Sequence, residues 1–256
     1  MKRVLRNMFF RVWYWYVSTV DKNAEVIFMN FGYNYQEGDI KMEDKDAINR
    51  YSAQLYHYTA SGADLKNKDL LEVGCGRGGG LSYVNRTFEP KTVTGIDLGK
   101  QAIKFCNSFY KEEGGTFVHA NAQDLPFEDN SFDAVLNVES SHRYPQMEEF
   151  LSEVVRVLRP GGHLLFIDFR YDHEIDKMHE NLKNSGMEII EEVDVTRNVV
   201  EALSLATPSR IALVEKLAPK FLHELAKNFA AVEGSESYLH FLTRQYIYKY
   251  YVLRKK

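Results

Sequence analysis

A glycine-rich turn directly after a short apolar run constrains the fold of this chain more than any other feature. The run Asp69–Val73 predicts a buried strand, and Gly74, Gly76 and Gly79 follow it. Glycine lets the backbone approach a ligand closely, and a helix that begins after such a turn presents free N–H groups. The spacing also satisfies the G-x-G-x-x-G pattern of dinucleotide-binding folds. The turn therefore predicts a nucleotide-like ligand without naming it.

The rest of the chain alternates short apolar runs with helical stretches, which is typical of βαβ units in a parallel sheet. The candidate strands are Asp69–Val73, Thr92–Asp97, Thr116–His119, Phe132–Val138, His163–Asp168, Met187–Val195 and Tyr246–Leu253. The candidate helices between the first five strands are Gly78–Phe88, Lys100–Glu112 and Met147–Leu158. The sequence predicts an α/β fold with a Rossmann-like, seven-stranded, mostly parallel sheet and helices on both faces.

Proline and glycine mark the ends of these elements. Arg159-Pro160-Gly161-Gly162 is expected to stop the third helix and to turn the chain into the fifth strand. Residues 197–245 are expected to be mostly helical, interrupted at Pro208 and Pro219, and so long an insertion suggests a cap. We expect one domain over residues 1–256, with N-terminal helices and a lid in 1–65, the cofactor-binding core in 66–170 and the cap in 197–245.

Composition argues against several classes of protein. The net charge of −4 gives no global positive field, which disfavours nucleic acid as a partner. The two cysteines, Cys75 and Cys106, form neither a C-x-x-C motif nor a metal-ligand cluster. We therefore expect no metal and a reduced, cytoplasmic protein. Nothing in the sequence decides the oligomeric state, and a homodimer stays open.

The N-terminus carries the aromatic run Met8–Val20, preceded by basic residues. Arg11 interrupts this run, no small-residue cleavage site follows, and roughly 20 apolar residues would be needed to span a bilayer. Neither export nor a membrane span is supported. Two alternatives stay open: a helix that packs on the domain or closes its pocket, and an interfacial helix that places Trp13 and Trp15 at a membrane surface.

Polar residues follow several of the predicted strands. Glu72 lies two residues before the first glycine, where it could organise the turn and an ammonium group of the ligand. Asp97 ends the second strand, where it could accept hydrogen bonds from two ribose hydroxyls or cap the next helix. The loop Ala120–Phe127 follows the third strand and could recognise an adenine.

These segments resemble the successive motifs of class I S-adenosylmethionine-dependent methyltransferases over roughly residues 70–170. The runs that carry the resemblance are LLEVGCGRGGG, TGIDL, ANAQDLPF, SFDAVLNVESSH and VLRPGGHLLFIDFR. The flanking segments 28–33, 140–145 and 229–235 are similar to bacterial natural-product and lipid O-methyltransferases, including the mycobacterial phthiotriolone and glycopeptidolipid enzymes. The resemblance implies S-adenosyl-L-methionine as cofactor and a methyl-transfer reaction.

The resemblance also implies which residues bind the cofactor. Asp97 would hold the ribose, Leu98 would pack on the adenine, and Asn137 would lie near the sulfonium. The remaining residues that it implies are Glu72, Gly74, Cys75 and Gly76 around the methionine part, and Asn121 and Ala122 at the adenine edge. The family usually has aspartate at the position of Asn121, so we expect retained but weaker adenine recognition.

His142 is the candidate general base, because it lies on the loop after the fourth strand at the carboxyl edge of the sheet. The matching histidine of related sugar O-methyltransferases is regarded as the base, often with an aspartate that matches Asp168. A solvated histidine and a capping aspartate are the alternatives. We interpret His57, His119 and His240 as structural.

The resemblance and the abundance of aromatic residues favour a small lipophilic acceptor. The aromatic candidates for its pocket are Phe9, Phe10, Trp13, Phe28, Phe31, Tyr33 and Phe169. The leading hypothesis is methylation of a hydroxyl of a lipid, polyketide, terpenoid or glycosylated natural product. The alternatives are methylation of a carbon or of a fatty-acid carboxylate, a cofactor-binding protein that does not methylate, and an NAD-dependent enzyme.

Overall fold

The computed structural model describes residues 19–21, 23–35, 40 and 42–256. Its strands are β1 Asp69–Val73, β2 Thr92–Asp97, β3 Thr116–His119, β4 Phe132–Val138, β5 Leu158–Tyr171, β6 Glu188–Asp194 and β7 Tyr246–Arg254. They form one seven-stranded sheet in the order β3-β2-β1-β4-β5-β7-β6. Strands β1 to β5 pair in parallel, and β7 runs antiparallel to β5 and β6. The predicted fold class is confirmed.

Helices cover both faces of the sheet. They are α1 Asp44–Ala47, α2 Arg50–Ala60, α3 Gly79–Phe88, α4 Lys100–Phe109, α5 Met147–Val157, α6 Ile175–Asn184, α7 Thr196–Leu217, α8 His223–Phe229 and α9 Glu236–Leu242. Because a strand sends alternate side chains to opposite faces, Leu70 packs with α2, α3, α4 and α7, and Leu71 packs with α5 and α6. Helices α7, α8 and α9 fill the interval between β6 and β7, as expected for the cap.

The topology brings the candidate site residues to one edge. From β1 the chain continues to β2 on one side, and β4 lies on the other side, so the strand order reverses between β1 and β4. Ligands of open α/β sheets bind outside the carboxyl ends of the strands at such a point. The residues that follow β1, β2, β3, β4 and β5 therefore meet at the same edge.

Several predicted boundaries differ from the structure by one or a few residues, and two of these differences lie at helix ends. The helix predicted to end at Leu158 ends at Val157, and β5 begins at once, so that the Pro160-Gly161-Gly162 turn lies inside the strand. Gly161 takes a φ of 79° there and donates its N–H to Lys255 O at 2.8 Å. Pairing with the chain after β7 therefore extends the strand through the turn. The helix predicted over Lys100–Glu112 ends at Phe109, and a short 3₁₀ turn follows.

Pro208 does not interrupt the cap, because α7 continues through it. A proline removes one helical N–H and disturbs the preceding turn. Here the hydroxyls of Thr207 and Ser209 donate to Leu203 O and Ala206 O at 2.9 Å each, which supplies hydrogen bonds to carbonyls of that turn. Pro219 agrees with the prediction, since α7 ends just before it at Leu217.

The aromatic N-terminal run lies almost wholly outside the described residues, so the lid and the membrane-surface alternatives for it stay predictions. In the part of the chain that the structure describes, no helix combines the length and the apolar character needed to cross a membrane. Residues 19–21 and 23–35 precede α1, and most of them belong to no helix or strand; we call these described residues the extended segment.

Candidate active site

The glycine turn after β1 starts the site at the carboxyl edge. Gly74 and Gly76 have φ values of 85° and 53°, which favour glycine. A side chain at Gly74 would clash with Ser140 Oγ, and one at Gly79 would meet Ile27 O at 2.6 Å. The Gly79 N–H also donates to Ile27 O at 3.2 Å. The glycines thus permit the turn conformation, and they also permit close contact with Ser140 of the loop after β4 and with Ile27 of the segment before α1.

Two buried polar side chains flank this turn. The Tyr56 hydroxyl donates to Glu72 Oε1 at 2.7 Å, and burial raises the pKa of Glu72 to about 8. Asn137 donates from Nδ2 to Val73 O at 2.8 Å. Glu72 Oε2 and Asn137 Oδ1 are buried and have no hydrogen-bond partner within the described part of the chain. Because orphaned buried acceptors are rare in folded proteins, this pair fits a ligand that carries hydrogen-bond donors.

Asp97 holds the glycine turn and does not cap the next helix, because the N-cap of α4 is Gly99 and no side chain bonds there. Its Oδ2 accepts from the Gly76 N–H at 3.0 Å, and its Oδ1 accepts from the Gly99 N–H at 2.6 Å. Burial raises the pKa of Asp97, and the two N–H groups oppose that rise. A carboxylate offers about four acceptor positions, so the side chain can hold the glycine turn and still accept from a ligand.

The other predicted cofactor residues lie at the same edge, with one exception. Leu98 is 60% exposed beside Asp97, and Ala120 N donates to Asp97 O at 3.2 Å, which brings Asn121 and Ala122 next to it. The Cys75 side chain instead points into the core, where its Sγ lies 3.0 Å from a Cβ built at Gly95. Cys75 can therefore face a ligand only through its backbone.

His142 and Asp168 form a close pair at the carboxyl ends of β4 and β5. His142 lies in the 3₁₀ turn Ser141–Arg143, and its Nδ1 is 2.8 Å from Asp168 Oδ1. Asp168 Oδ2 accepts from Ser141 Oγ at 2.6 Å and from the His142 N–H at 2.9 Å. The His142 side chain is only 18% exposed. A freely solvated loop histidine is thereby ruled out for the described conformation.

Electrostatics fixes the protonation of this pair. Burial alone would raise the pKa of Asp168, but the charges of His142 and Arg170 and the hydrogen bonds hold it below its ordinary value. Burial lowers the pKa of His142, against the opposing effect of Asp168. An ionised Asp168 accepts Nδ1–H, which leaves the Nε2 lone pair as acceptor. Arg143 Nε donates to that lone pair at 3.1 Å.

A cavity of about 1450 Å³ opens beside the pair. Its walls come from the segment before α1, the loop after β4, the end of β5 and the cap. Among its apolar lining residues are Ile27, Phe28, Met29, Phe31, Leu213 and Phe229. Most of the surface is therefore suited to a lipophilic molecule, with the polar pair at one side.

The aromatic predictions for this cavity are confirmed in part. Phe28, Phe31 and Phe169 line it, and the Phe169 ring lies 4.6 Å from the His142 ring. Tyr33 does not, because it is buried and stacks on Tyr58 with ring centroids 4.4 Å apart. Phe9, Phe10 and Trp13 lie outside the described residues.

The sequence analysis did not identify two partly buried ionisable side chains near the cavity, Glu139 and Arg210. Glu139 Oε1 accepts the Phe31 N–H at 2.6 Å and the Tyr248 hydroxyl, and burial raises the pKa of Glu139 to about 8. Arg210 of the cap donates to Asn30 O at 3.2 Å and to Phe31 O at 2.9 Å. The extended segment is thus held between the core and the cap, and its residues Asn30 and Phe31 line the cavity.

A buried ion pair attaches the same segment to the glycine turn. Arg77 Nη2 lies 3.0 Å from Asp21 Oδ2, and the two side chains are 1% and 0% exposed. The Arg77 guanidinium also lies 3.9 Å from the centre of the Phe105 ring. Asp21 in turn accepts the N–H groups of Glu25 and Val26 at 2.9 and 2.8 Å. Because Asp21 is bonded to Arg77, a displacement of this segment would also displace the glycine turn.

Comparison with known proteins gives consistent relatives. Residues 71–166 match the family described as "Methyltransferase domain". The chain is 40% identical over 234 residues to the fatty-acid O-methyltransferase of Mycolicibacterium smegmatis. The aligned region covers 91% of this chain and 85% of that protein. It is 39% identical over 230 residues to the phthiotriol/phenolphthiotriol dimycocerosates methyltransferase of Mycobacterium tuberculosis, covering 88% and 85%. A solved geranyl diphosphate methyltransferase in complex with SAM shares the fold, with a TM-score of 0.66, 17% identity and coverage of 90% and 100%.

Proposed function

The chain belongs to the class I S-adenosylmethionine-dependent methyltransferases, and we propose that it transfers a methyl group to an oxygen of a small lipophilic acceptor. The observation that carries this proposal is the placement of the His142–Asp168 pair on the wall of a largely apolar cavity, next to the edge where the cofactor residues meet. A hydroxyl of a lipid, polyketide, terpenoid or glycosylated natural product is the leading acceptor.

The residues at the edge fit S-adenosyl-L-methionine. Asp97 keeps acceptor capacity for the ribose, and Leu98 offers an exposed apolar side chain for the adenine. Asn137 Oδ1 is a buried acceptor without a partner in the described chain, and a cation beside Glu72 would lower the pKa of that carboxyl and make Oε2 a charged acceptor. Both atoms therefore suit the positively charged methionine part. When bound, the cofactor supplies a methyl group on a positively charged sulfur.

The protein's own residues then have three tasks. The cavity wall orients the acceptor, and good alignment can contribute up to about 7–11 kcal/mol to the acceleration. The segment held by Glu139 and Arg210 covers the site and excludes water. His142 takes the hydroxyl proton at Nε2, while Asp168 holds the imidazole in the tautomer that leaves Nε2 unprotonated.

We expect Asp97→Ala to weaken binding of S-adenosyl-L-methionine at least about ten-fold, because two ribose hydrogen bonds and the support of the Gly76 N–H are lost. Calorimetric titration measures this, with circular dichroism to establish that the variant is folded. Asp176→Ala, which removes an exposed carboxylate on α6, is the control and should bind as the wild type does. Equal affinity of the two variants would contradict the assignment of Asp97.

The apolar acceptor is tested with a series of alcohols of increasing chain length. We expect kcat/KM to rise about four-fold for each added methylene until the cavity is filled, because each buried methylene contributes about 0.8 kcal/mol. Leu213→Glu places a charge in the cavity wall and should flatten this dependence. Leu205→Glu is the matched control, since Leu205 lies on the same helix and is already 54% exposed. A flat series in the wild type would reject a lipophilic acceptor.

A lipid carboxylate is the second candidate acceptor. It is favoured by the 40% identity to a fatty-acid O-methyltransferase. A carboxylate has no proton to lose at neutral pH, so its methylation would not need His142. The dependence of the rate on His142 therefore separates the two candidates.

A further inference from the structure

Arg143 lies where the cofactor edge meets the acceptor cavity. It follows His142 in the chain and lines the cavity. Its Nε donates to His142 Nε2 at 3.1 Å. Its positive charge also favours the ionised form of Asp97 and lowers the pKa of His142. The guanidinium is thus within electrostatic range of both the ribose-binding carboxylate and the imidazole.

The neighbouring Arg170 has a different environment. It lies 3.1 Å from Asp168 Oδ2 and donates to Phe169 O at 2.7 Å and to Ser141 Oγ at 2.8 Å. None of these bonds involves an atom that the acceptor needs. The bond of Arg143 does, because Nε2 offers the single lone pair of an imidazole whose Nδ1–H is bonded to Asp168. An acceptor that reaches Nε2 has to take the place of the Arg143 N–H.

We propose that Arg143 binds the reacting oxygen of the acceptor and enables the site to methylate a lipid carboxylate as well as a hydroxyl. A hydroxyl takes the place of the Arg143 N–H by donating its own O–H to His142 Nε2, and the guanidinium then donates to the hydroxyl oxygen. A carboxylate has no proton to donate to Nε2 and instead accepts the guanidinium N–H groups itself. This inference rests on the proposed function and adds to it a residue that determines acceptor specificity.

The two acceptors differ in what they require from the site. A carboxylate loses its hydration on entering a largely apolar cavity, which is unfavourable unless a cation pairs with it. The planar guanidinium matches the two oxygens of a carboxylate. In either reaction a lone pair of the acceptor oxygen forms the O–C bond, and the S–C bond breaks with its electron pair remaining on sulfur. A hydroxyl proton passes to His142 Nε2, whereas a carboxylate has none to transfer.

The test compares a long-chain fatty acid with the alcohol of the same carbon number. Arg143→Gln should lower kcat/KM for the fatty acid about 30-fold or more, because a half-buried counter-ion is removed, and for the alcohol only about three-fold. His142→Ala should do the opposite and lower kcat/KM more for the alcohol than for the fatty acid. Arg143→Lys keeps the charge and should recover part of the activity on the fatty acid. Lys177→Gln removes another cation of the same cavity and should change both rates less than two-fold.

A second measurement needs no turnover. Titration of His142 by NMR in the cofactor-free protein should give a pKa below 6.5, and Arg143→Gln should raise it because a neighbouring positive charge is lost. Lys177→Gln should leave it unchanged. The role of Arg143 would be overturned if Arg143→Gln lowered kcat/KM equally for the fatty acid and the alcohol, so that their ratio stayed unchanged. It would also be overturned if Arg143→Gln left the pKa of His142 unshifted. A wild-type protein that methylates neither acceptor would instead refute the proposed function, and the titration would still test the Arg143 contact.

Discussion

Replacement of His142 by alanine is expected to lower kcat for a hydroxyl acceptor about 10²- to 10⁴-fold, the range usual for loss of a general base. Binding of the cofactor should stay within about two-fold, because the imidazole contacts Asp168, Arg143 and Phe169 rather than the glycine turn. Steady-state kinetics with a long-chain alcohol, beside calorimetry with S-adenosyl-L-methionine, measure the two quantities. The effect should therefore appear in turnover and not in cofactor affinity.

The pH dependence gives an independent check on this role. The base acts in its neutral form, and burial holds the pKa of His142 below 6.5. The wild-type kcat/KM should thus be constant at pH values well above the lowered pKa of His142 and should fall as the pH drops through that pKa, and His142→Ala should lack this acidic limb. His173→Ala is the matched control, because His173 lines the same cavity but is exposed. Equal turnover of His142→Ala and wild type on an alcohol would contradict the base role.

The second large effect concerns stability. Asp21→Ala should lower the free energy of unfolding by about 3–5 kcal/mol, because it leaves the Arg77 guanidinium buried without its counter-ion. The same change removes the acceptor of the Glu25 and Val26 N–H groups. Urea unfolding followed by circular dichroism measures the free energy of unfolding. An unchanged m-value would show that the variant exposes the same surface on unfolding as the wild type.

Two further variants separate ion pairing from general disruption. Lys66→Ala breaks the Lys66–Glu89 pair, whose atoms are closer at 2.6 Å but whose side chains are 64% and 65% exposed. Its effect should stay below about 1 kcal/mol. The double replacement Asp21→Leu with Arg77→Met removes both buried charges and should recover part of the loss. If Asp21→Ala and Lys66→Ala lowered the free energy of unfolding equally, burial of the Asp21–Arg77 pair would not be the cause of the loss.

Local patterns in the sequence were sufficient to predict the sheet. Each strand from β1 to β4 is a short apolar run, β5 contains such a run at His163–Asp168, and parallel pairing sends the carboxyl ends of these strands to one edge. That rule alone brings His142 and Asp168 together, since His142 follows β4 and Asp168 lies near the carboxyl end of the neighbouring β5. The error at Pro208 has a different origin. Whether a helix continues through a proline depends on nearby hydroxyls and on packing, which a count of breakers does not consider.

The parts of the site that were missed come from contacts between distant positions. Arg210 meets Phe31 across 179 positions of the chain, and Glu139 meets it across 108. Asp21 meets Arg77 across 56. No local spacing or periodicity encodes such pairs, so they become visible only once the fold is known. They matter for function because all three fix the segment that covers the cavity.

The central claim is that a methyl group passes from S-adenosyl-L-methionine to an oxygen of a lipophilic acceptor beside His142. The most direct test is tandem mass spectrometry of the product formed with methyl-deuterated cofactor from a long-chain alcohol and the matching fatty acid. We expect the trideuteromethyl group on an acceptor oxygen. The amount of labelled product should depend on His142 for the alcohol and not for the fatty acid. A label on carbon, or consumption of the cofactor without any labelled product, would contradict it.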